Sequence, residues 1–266
     1  MSAILFKGTD PENHRLADVT RNGVYSSRLC RHGVMKWLAT DYGVGQMLEW
    51  YGEYFEGEVA IFRKFLKPGD VVISAGGNIG AHLVPLSQIV GGDGRIITFE
   101  PQAFLLPVLR ENLAVNGCTN VEVHEAGLGE KMGMGHLALV DPTMPNNFGG
   151  LNFQAEAGKV RTSEVPVVTV DSLELQRLDF LMLDIEGMEE EALRGSVETI
   201  ARCRPLLYVE IDKEDKREPL LHFIRDELKY EVLFHLPYAF NPDNFAGNDK
   251  NHFGEIRSIM CLAVPT

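Results

Sequence analysis

From Val59 onward the apolar positions fall into two alternating rhythms. Short apolar runs bounded by glycine, proline or acidic residues carry the signature of buried strands, and the longer periodic stretches between them carry that of helices. The pattern predicts a helix over residues 59–66, ended by Lys67-Pro68-Gly69-Asp70, and a buried strand over 71–73. A helix over 79–90 stops at Gly91-Gly92, a strand covers 95–99, and a helix over 102–116 has Gly117 just past its end. A third strand begins at Val121. Residues 128–170 interrupt the rhythm, and only 165–170 is strand-like there. It then resumes with strand 180–184, helix 189–200, strand 206–211, helix 217–228, strand 231–234 and a last strand over 256–264. Strands alternating with helices predict an α/β fold of βαβ units around a mostly parallel sheet with helices on both faces.

Residues 1–57 lack that order. Their glycines and aromatics over 41–57 (DYGVGQMLEWYGEYFEG) predict a short helical or hairpin extension packed on a core that runs over 58–266. No internal repeat, low-complexity tract or linker divides that core. Two loops, 141–150 and 236–254, are rich in Asn, Gly, Pro and aromatic residues. Such loops suit either an ordinary surface or the rim of a pocket for a polar, ring-like molecule, and their length favours the second.

Composition narrows the partners. The 266 residues suffice for one well-buried core, and a net charge of −13 disfavours a nonspecific grip on nucleic acid. A small or neutral substrate, or a carrier-bound one, fits better, although the charge also serves solubility alone. The four cysteines, Cys30, Cys118, Cys203 and Cys261, are scattered with no CxxC pair, which opposes a structural zinc site and a disulfide framework. The opening MSAILFKGTDPENHR lacks the apolar core of a signal peptide, and no run reaches membrane-span length. A cytoplasmic protein with no membrane partner is expected, and a homo-oligomer is left open.

The strongest local signal is VVISAGGNIGAH, where a strand runs into Gly76, Gly77, Asn78 and Gly80 and a helix follows. Glycines allow a tight turn and close approach of a ligand, and N–H groups at a helix start suit a carboxylate or phosphate. Glu100 ends the next strand, where an acid can accept both hydroxyls of a ribose, and Pro101 fixes the turn after it. Together these point to an adenosine-containing ligand; the plain alternative is a tight turn beside a solvated Glu. Asn78 carries a side chain where a pyrophosphate would want none, so the loop leans toward S-adenosylmethionine over NAD.

These residues resemble a known family. The segment KPGDVVISAGGNIGAHLVPLSQIVGGDGRIITFEP closely resembles the first cofactor-binding region of the FkbM-type methyltransferases. LRENLAVNGCTNVEVHEAGLG is similar to that family's next helix and strand, and LDFLMLDIEGMEEEALRGSVETIARCRPLLYVEI to its strand ending in an Asp-x-Glu-Gly turn. The resemblance implies a seven-stranded class I methyltransferase fold, S-adenosylmethionine as donor, and commonly a hydroxyl acceptor. It implies that Gly76, Asn78 and Gly80 form the loop around the methionine part, and that Glu100 holds the ribose. Asp184, Glu186 and Gly187 would then sit beside the reacting methyl. Two positions depart from the family pattern: Ser74 stands where an Asp usually opens the glycine motif, and Met182 where a Lys is frequent. Glu58 or Asp184 would have to compensate for the missing charge at Ser74.

Methyl transfer is an in-line displacement that needs alignment, exclusion of water and a base for a hydroxyl acceptor. Glu186 and Asp184 are the first candidates for that base, with helix capping as an equal alternative for Asp184, and Glu210 follows on the adjoining strand. His82 is expected to pack or touch the donor, and His235 and His252 to be structural. Asp184, Glu186 and Glu210 offer oxygens that magnesium accepts, but no ligand-spaced motif supports a metal, and none is expected. A small-molecule O-methyltransferase is the leading expectation. A cofactor-binding module without catalysis, motivated by Ser74 and Met182, and an NAD-dependent oxidoreductase are the alternatives.

Overall fold

The computed structural model describes residues 19–151 and 161–266, so the opening segment read for a signal peptide lies outside the described residues. Three strands come first: β1 (Thr20–Asn22), β2 (Tyr25–Cys30) and β3 (Gly33–Leu38), paired antiparallel as a small sheet. Helices α1 (Val44–Tyr51) and α2 (Glu56–Phe65) follow. The region expected to be helical or hairpin is thus both. Next come β4 (Val71–Ala75), α3 (Leu83–Val90), β5 (Arg95–Phe99), α4 (Leu106–Val115) and β6 (Val121–His124). The interruption holds β7 (Gly127–Leu128), β8 (Gly133–Ala138) and β9 (Thr162–Val168), a second three-stranded sheet of which only the last strand was legible. The chain ends with β10 (Phe180–Leu183), α5 (Glu189–Arg194), α6 (Val197–Cys203), β11 (Leu206–Glu210), α7 (Glu214–His222), β12 (Tyr230–His235) and β13 (Met260–Pro265).

Seven strands form the central sheet in the order β6-β5-β4-β10-β11-β13-β12. All run parallel except β13, which inserts antiparallel between β11 and β12. This is the class I methyltransferase arrangement. Successive residues serve opposite faces, as the two-residue period demands: Val72 and Ile96 join the cluster under α2, α3 and α4, while Ile73 and Ile97 join the one under α5, α6 and α7. Burial on both faces is why these strands read as continuous apolar runs rather than alternating ones. Among the described residues no helix is long and apolar enough to cross a membrane.

Two helices differ from the sequence pattern for identifiable reasons. The helix expected over 189–200 breaks at Gly195-Ser196, because Gly195 passes Gly129 so closely that a Cβ would lie 2.1 Å from its carbonyl oxygen. Asp171, remote in sequence, accepts from the backbone N–H groups of Glu198 and Thr199 and so caps the second piece. The helix expected from Ile79 begins only at Leu83, because Asn78 and Gly80 have φ of +46° and +87°, outside the right-handed helical region.

The small sheet is fastened to the core by side chains that imitate a strand. From α4, Asn112 accepts from the Lys36 N–H and donates to its carbonyl, at 2.8 Å each; Asn116, one turn on, does the same to Val34 at 2.9 and 2.7 Å. The free edge of β3 is satisfied without another strand. Asn112 also donates to the Ile79 carbonyl, which ties the glycine turn to the same helix. Asn112→Ala leaves three buried backbone groups unpaired and is expected to cost about 3 kcal/mol or more. In a chain of this size that lowers the midpoint of thermal unfolding by roughly 6–12 °C. A shift under two degrees by differential scanning calorimetry would show that this fastening is not needed.

Candidate active site

The carboxyl-terminal ends of β4, β5, β10 and β11 open into one cavity of about 590 Å³. Its floor is set by the turn after β4. Gly76, at φ +84°, runs so close to β10 that a Cβ would lie 1.9 Å from the Asp184 carbonyl oxygen, and one on Gly77 would lie 2.7 Å from the Thr98 hydroxyl. No side chain fits at either position. Most N–H groups of the turn are spent inside it: Gly76 and Gly77 donate to the Phe99 carbonyl, Gly80 to that of Gly77, and Ile79 to the Asn78 side chain. The N–H groups of the turn are thus spent, and the helix start itself lies four residues later than expected, where Ala81, His82 and Leu83 line the cavity.

Glu100 collars this turn. One carboxylate oxygen accepts from the Asn78 N–H at 2.7 Å and the other from the Gln102 N–H at 2.8 Å. Burial raises its pKa to about 7 against the pull of those donors. Each oxygen keeps a lone pair for a further donor. Pro101, Ser74 and His82 also line the cavity, whereas Gly80 packs toward Leu109 of α4 and Glu58 lies behind the wall.

At the other end three carboxylates converge. Asp184, Glu186 and Glu210 each place an oxygen within 4.8 Å of the others. They differ in what holds them. Glu186, at φ +55°, accepts from Lys213 at 2.7 Å, and Lys213 also reaches Asp212 at 3.0 Å. Burial works against the Lys213 charge, but these two acids outweigh it and hold its pKa up. Asp184 and Glu210 have no such cation among the described residues; burial, then the neighbouring carboxylates, raises both pKa values. Helix capping, the alternative for Asp184, is not seen, since no side chain caps α5; Glu189 instead braces the turn before it, accepting from the Ile185 and Gly187 N–H groups at 3.1 and 3.0 Å.

A family model described as the methyltransferase FkbM domain matches residues 74–261, most of the chain. The chain belongs to the FkbM methyltransferase family. That family's methyl donor is S-adenosylmethionine. No curated protein matches the chain. Among solved structures, the FkbM methyltransferase of Methylobacillus flagellatus KT is 17% identical, with 77% of this chain and 50% of that one covered and a TM-score of 0.49. The present chain therefore spans about half the length of that protein. A precorrin-6y C5,15-methyltransferase of Geobacter metallireducens GS-15 is 15% identical over 78% of this chain and 87% of its own, with a TM-score of 0.47. An rRNA methylase of Streptococcus thermophilus is 12% identical over 79% and 95%, with a TM-score of 0.46. Likenesses this distant transfer neither a substrate nor a residue's role.

In this member of the FkbM methyltransferase family the two departures from the family pattern touch. Ser74 and Met182 are partners across β4 and β10, with the Ser74 hydroxyl 3.7 Å from the Met182 sulfur. Replacing an Asp and a Lys at such a pair removes both charges together and strands neither. Behind them, Glu58 and His82 approach within 3.9 Å. That distance admits an ion pair, but burial pushes Glu58 up to about 8, with Asp184 adding to it, and drops His82 to about 3, so both are neutral at pH 7. Of the other histidines, His235 is bonded to the Tyr208 hydroxyl at 2.7 Å, as a structural residue would be, while His252 reaches the cavity wall.

Sequence reasoning missed Gln102, Trp50 and Tyr54. Gln102 donates to the Phe148 carbonyl at 2.8 Å, joining the Glu100 turn to the loop over 141–150. Its position two residues after the strand-end acid was the available signal. Trp50 and Tyr54 come from the region before the core and carry no spacing that points at the cavity.

Raised carboxylate pKa values fix the sign of the pH dependence. The folded protein keeps on Glu58 a proton that the unfolded chain releases above about pH 4. That stabilisation is complete below the unfolded pKa and is lost as pH rises toward about 8. The thermal midpoint of Glu58→Gln minus that of the native protein should therefore grow more positive from pH 5 to pH 8 in calorimetric scans. A difference independent of pH would contradict the buried acid.

Proposed function

We propose that the chain is an S-adenosylmethionine-dependent O-methyltransferase acting on a hydroxyl of a small molecule. The observation that carries this reading is the meeting, in one cavity, of a glycine turn too tight for any Cβ, a collared strand-end Glu100, and the Asp184–Glu210 pair. The turn and Glu100 fit a nucleoside whose amino-acid end lies against bare backbone and whose ribose hydroxyls take the remaining Glu100 lone pairs. Bound there, S-adenosylmethionine supplies a methyl group already activated for displacement. The protein's own work is to align the acceptor, exclude water and take a proton. Burial and the surrounding carboxylates make Asp184 and Glu210 hold protons more tightly than exposed acids do, and an ionised carboxylate of this pair accepts the acceptor's hydroxyl proton. Glu186, tied to Lys213 in an ion pair, serves better to brace the turn.

The division at residue 57 belongs to the same proposal, with residues 1–57 as an extension that closes the acceptor side. Tyr42, Met47 and Trp50 on the cavity wall support it. The alternative of a binding module without catalysis draws on Ser74 and Met182, and their neutral contact gives no reason for lost catalysis.

Isothermal titration calorimetry with S-adenosylmethionine, S-adenosylhomocysteine and NAD tests the donor, and NAD binding alone would overturn the reading. Glu100→Ala should weaken S-adenosylmethionine at least tenfold, because two charge-assisted hydrogen bonds are lost. Unchanged affinity removes Glu100 from the ribose. In turnover against a panel of hydroxylated acceptors, Glu210→Gln should slow methyl transfer about 10²- to 10⁴-fold with donor affinity nearly kept. A normal rate takes the base role from the pair.

A further inference from the structure

The cavity wall has a charge bias that methyl transfer as such does not require. Among the described residues it carries the carboxylates of Glu100, Asp184, Glu186, Glu210 and Asp212, and neither Lys nor Arg. Lys213, outside the wall, balances part of this by bonding Glu186 and Asp212. Asp184 and Glu210 are left without a basic partner among the described residues, and one oxygen of Glu210 is buried with no hydrogen-bond partner at all. Burial and the crowding of acids make both carboxyls hold protons more tightly than usual, which is the behaviour of negative sites that lack a counter-charge.

The same wall has a second, independent feature. The Trp50 ring lies 4.3 Å from His252 and 5.5 Å from Phe253, centroid to centroid, and all three line the cavity. Such a shelf takes the flat or apolar body of a guest, and an indole face also attracts a cation. A phosphate or carboxylate of an acceptor placed beside Asp184 and Glu210 would meet like charge there, a juxtaposition that costs several kcal/mol.

Resting on the methyl-transfer reading above, we propose that the acceptor carries a protonated amine beside its reacting hydroxyl, with the ammonium held by Asp184 and Glu210 and the body of the molecule on the Trp50–His252 shelf. The ammonium has no lone pair and is not itself methylated; it anchors the molecule so that the neighbouring hydroxyl faces the donor. Nucleic acids and phosphorylated sugars are excluded by the same charge.

A charge series on one aromatic scaffold tests this. Tryptamine, tryptophol and indole-3-acetate are titrated calorimetrically into protein saturated with S-adenosylhomocysteine. Tryptamine should bind at least tenfold tighter than tryptophol, and indole-3-acetate at least tenfold more weakly than tryptophol. In the Asp184→Asn/Glu210→Gln double variant the tryptamine preference should fall below threefold while tryptophol still binds, which also reports an intact fold. Trp50→Leu should weaken all three ligands and keep their ratios. Tryptophol binding as tightly as tryptamine, or no binding of tryptamine, overturns the inference and leaves the donor reading standing. Protein that does not take S-adenosylhomocysteine overturns the donor reading and this inference with it.

Discussion

Everything at the carboxyl-terminal edge of the sheet depends on one close approach, that of the Gly76 backbone to the Asp184 carbonyl. A Cβ at Gly76 would sit 1.9 Å from that oxygen, so only glycine lets the ends of β4 and β10 come this near. The positive φ at Gly76 turns the chain away from the sheet at the same point, and the crevice opens there. Glu100 then holds the turn from the β5 side through the Asn78 N–H, and Asn112 holds it from α4 through the Ile79 carbonyl. Three elements distant in sequence brace one turn, which is how a ligand surface made of bare backbone stays rigid.

The second organising fact is electrostatic. Burying several acids with few bases is unfavourable unless protons or a guest supply positive charge. Here protons do so: Glu58, Glu100, Asp184 and Glu210 all hold them more tightly than exposed carboxyls. A sulfonium donor and an ammonium-bearing acceptor are cations that can replace them. Ser74 and Met182 belong to the same pattern, since they meet inside the sheet as a neutral contact.

Much of this was legible before the structure. The βαβ rhythm located six of the seven central strands closely, and the last, expected over 256–264, begins four residues late at Met260. The glycine turn, Glu100, Asp184, Glu186 and Glu210 do meet in one cavity. What was not legible depends on distant partners. Gly195 looks like a tolerated glycine within a helix until Gly129 is found against it, and the cap of α6 comes from Asp171. Two strands of the second sheet, β7 and β8, are too short and glycine-rich to show a period.

The sequence by itself determined the order of elements, the doubly covered sheet and the family, because apolar periodicity and glycine placement are local properties of the chain. Only the tertiary structure decided which acid is paired with a cation. Asp184, Glu186 and Glu210 are equivalent carboxylates on paper, and their protonation depends on burial and on whether a cation stands within hydrogen-bond distance. Lys213 takes Glu186 and leaves the other two unbalanced, and Glu189 braces the turn after Asp184 through the Ile185 and Gly187 N–H groups. Those differences arise from packing across separate strands and helices, where neighbours in space are not neighbours in the chain.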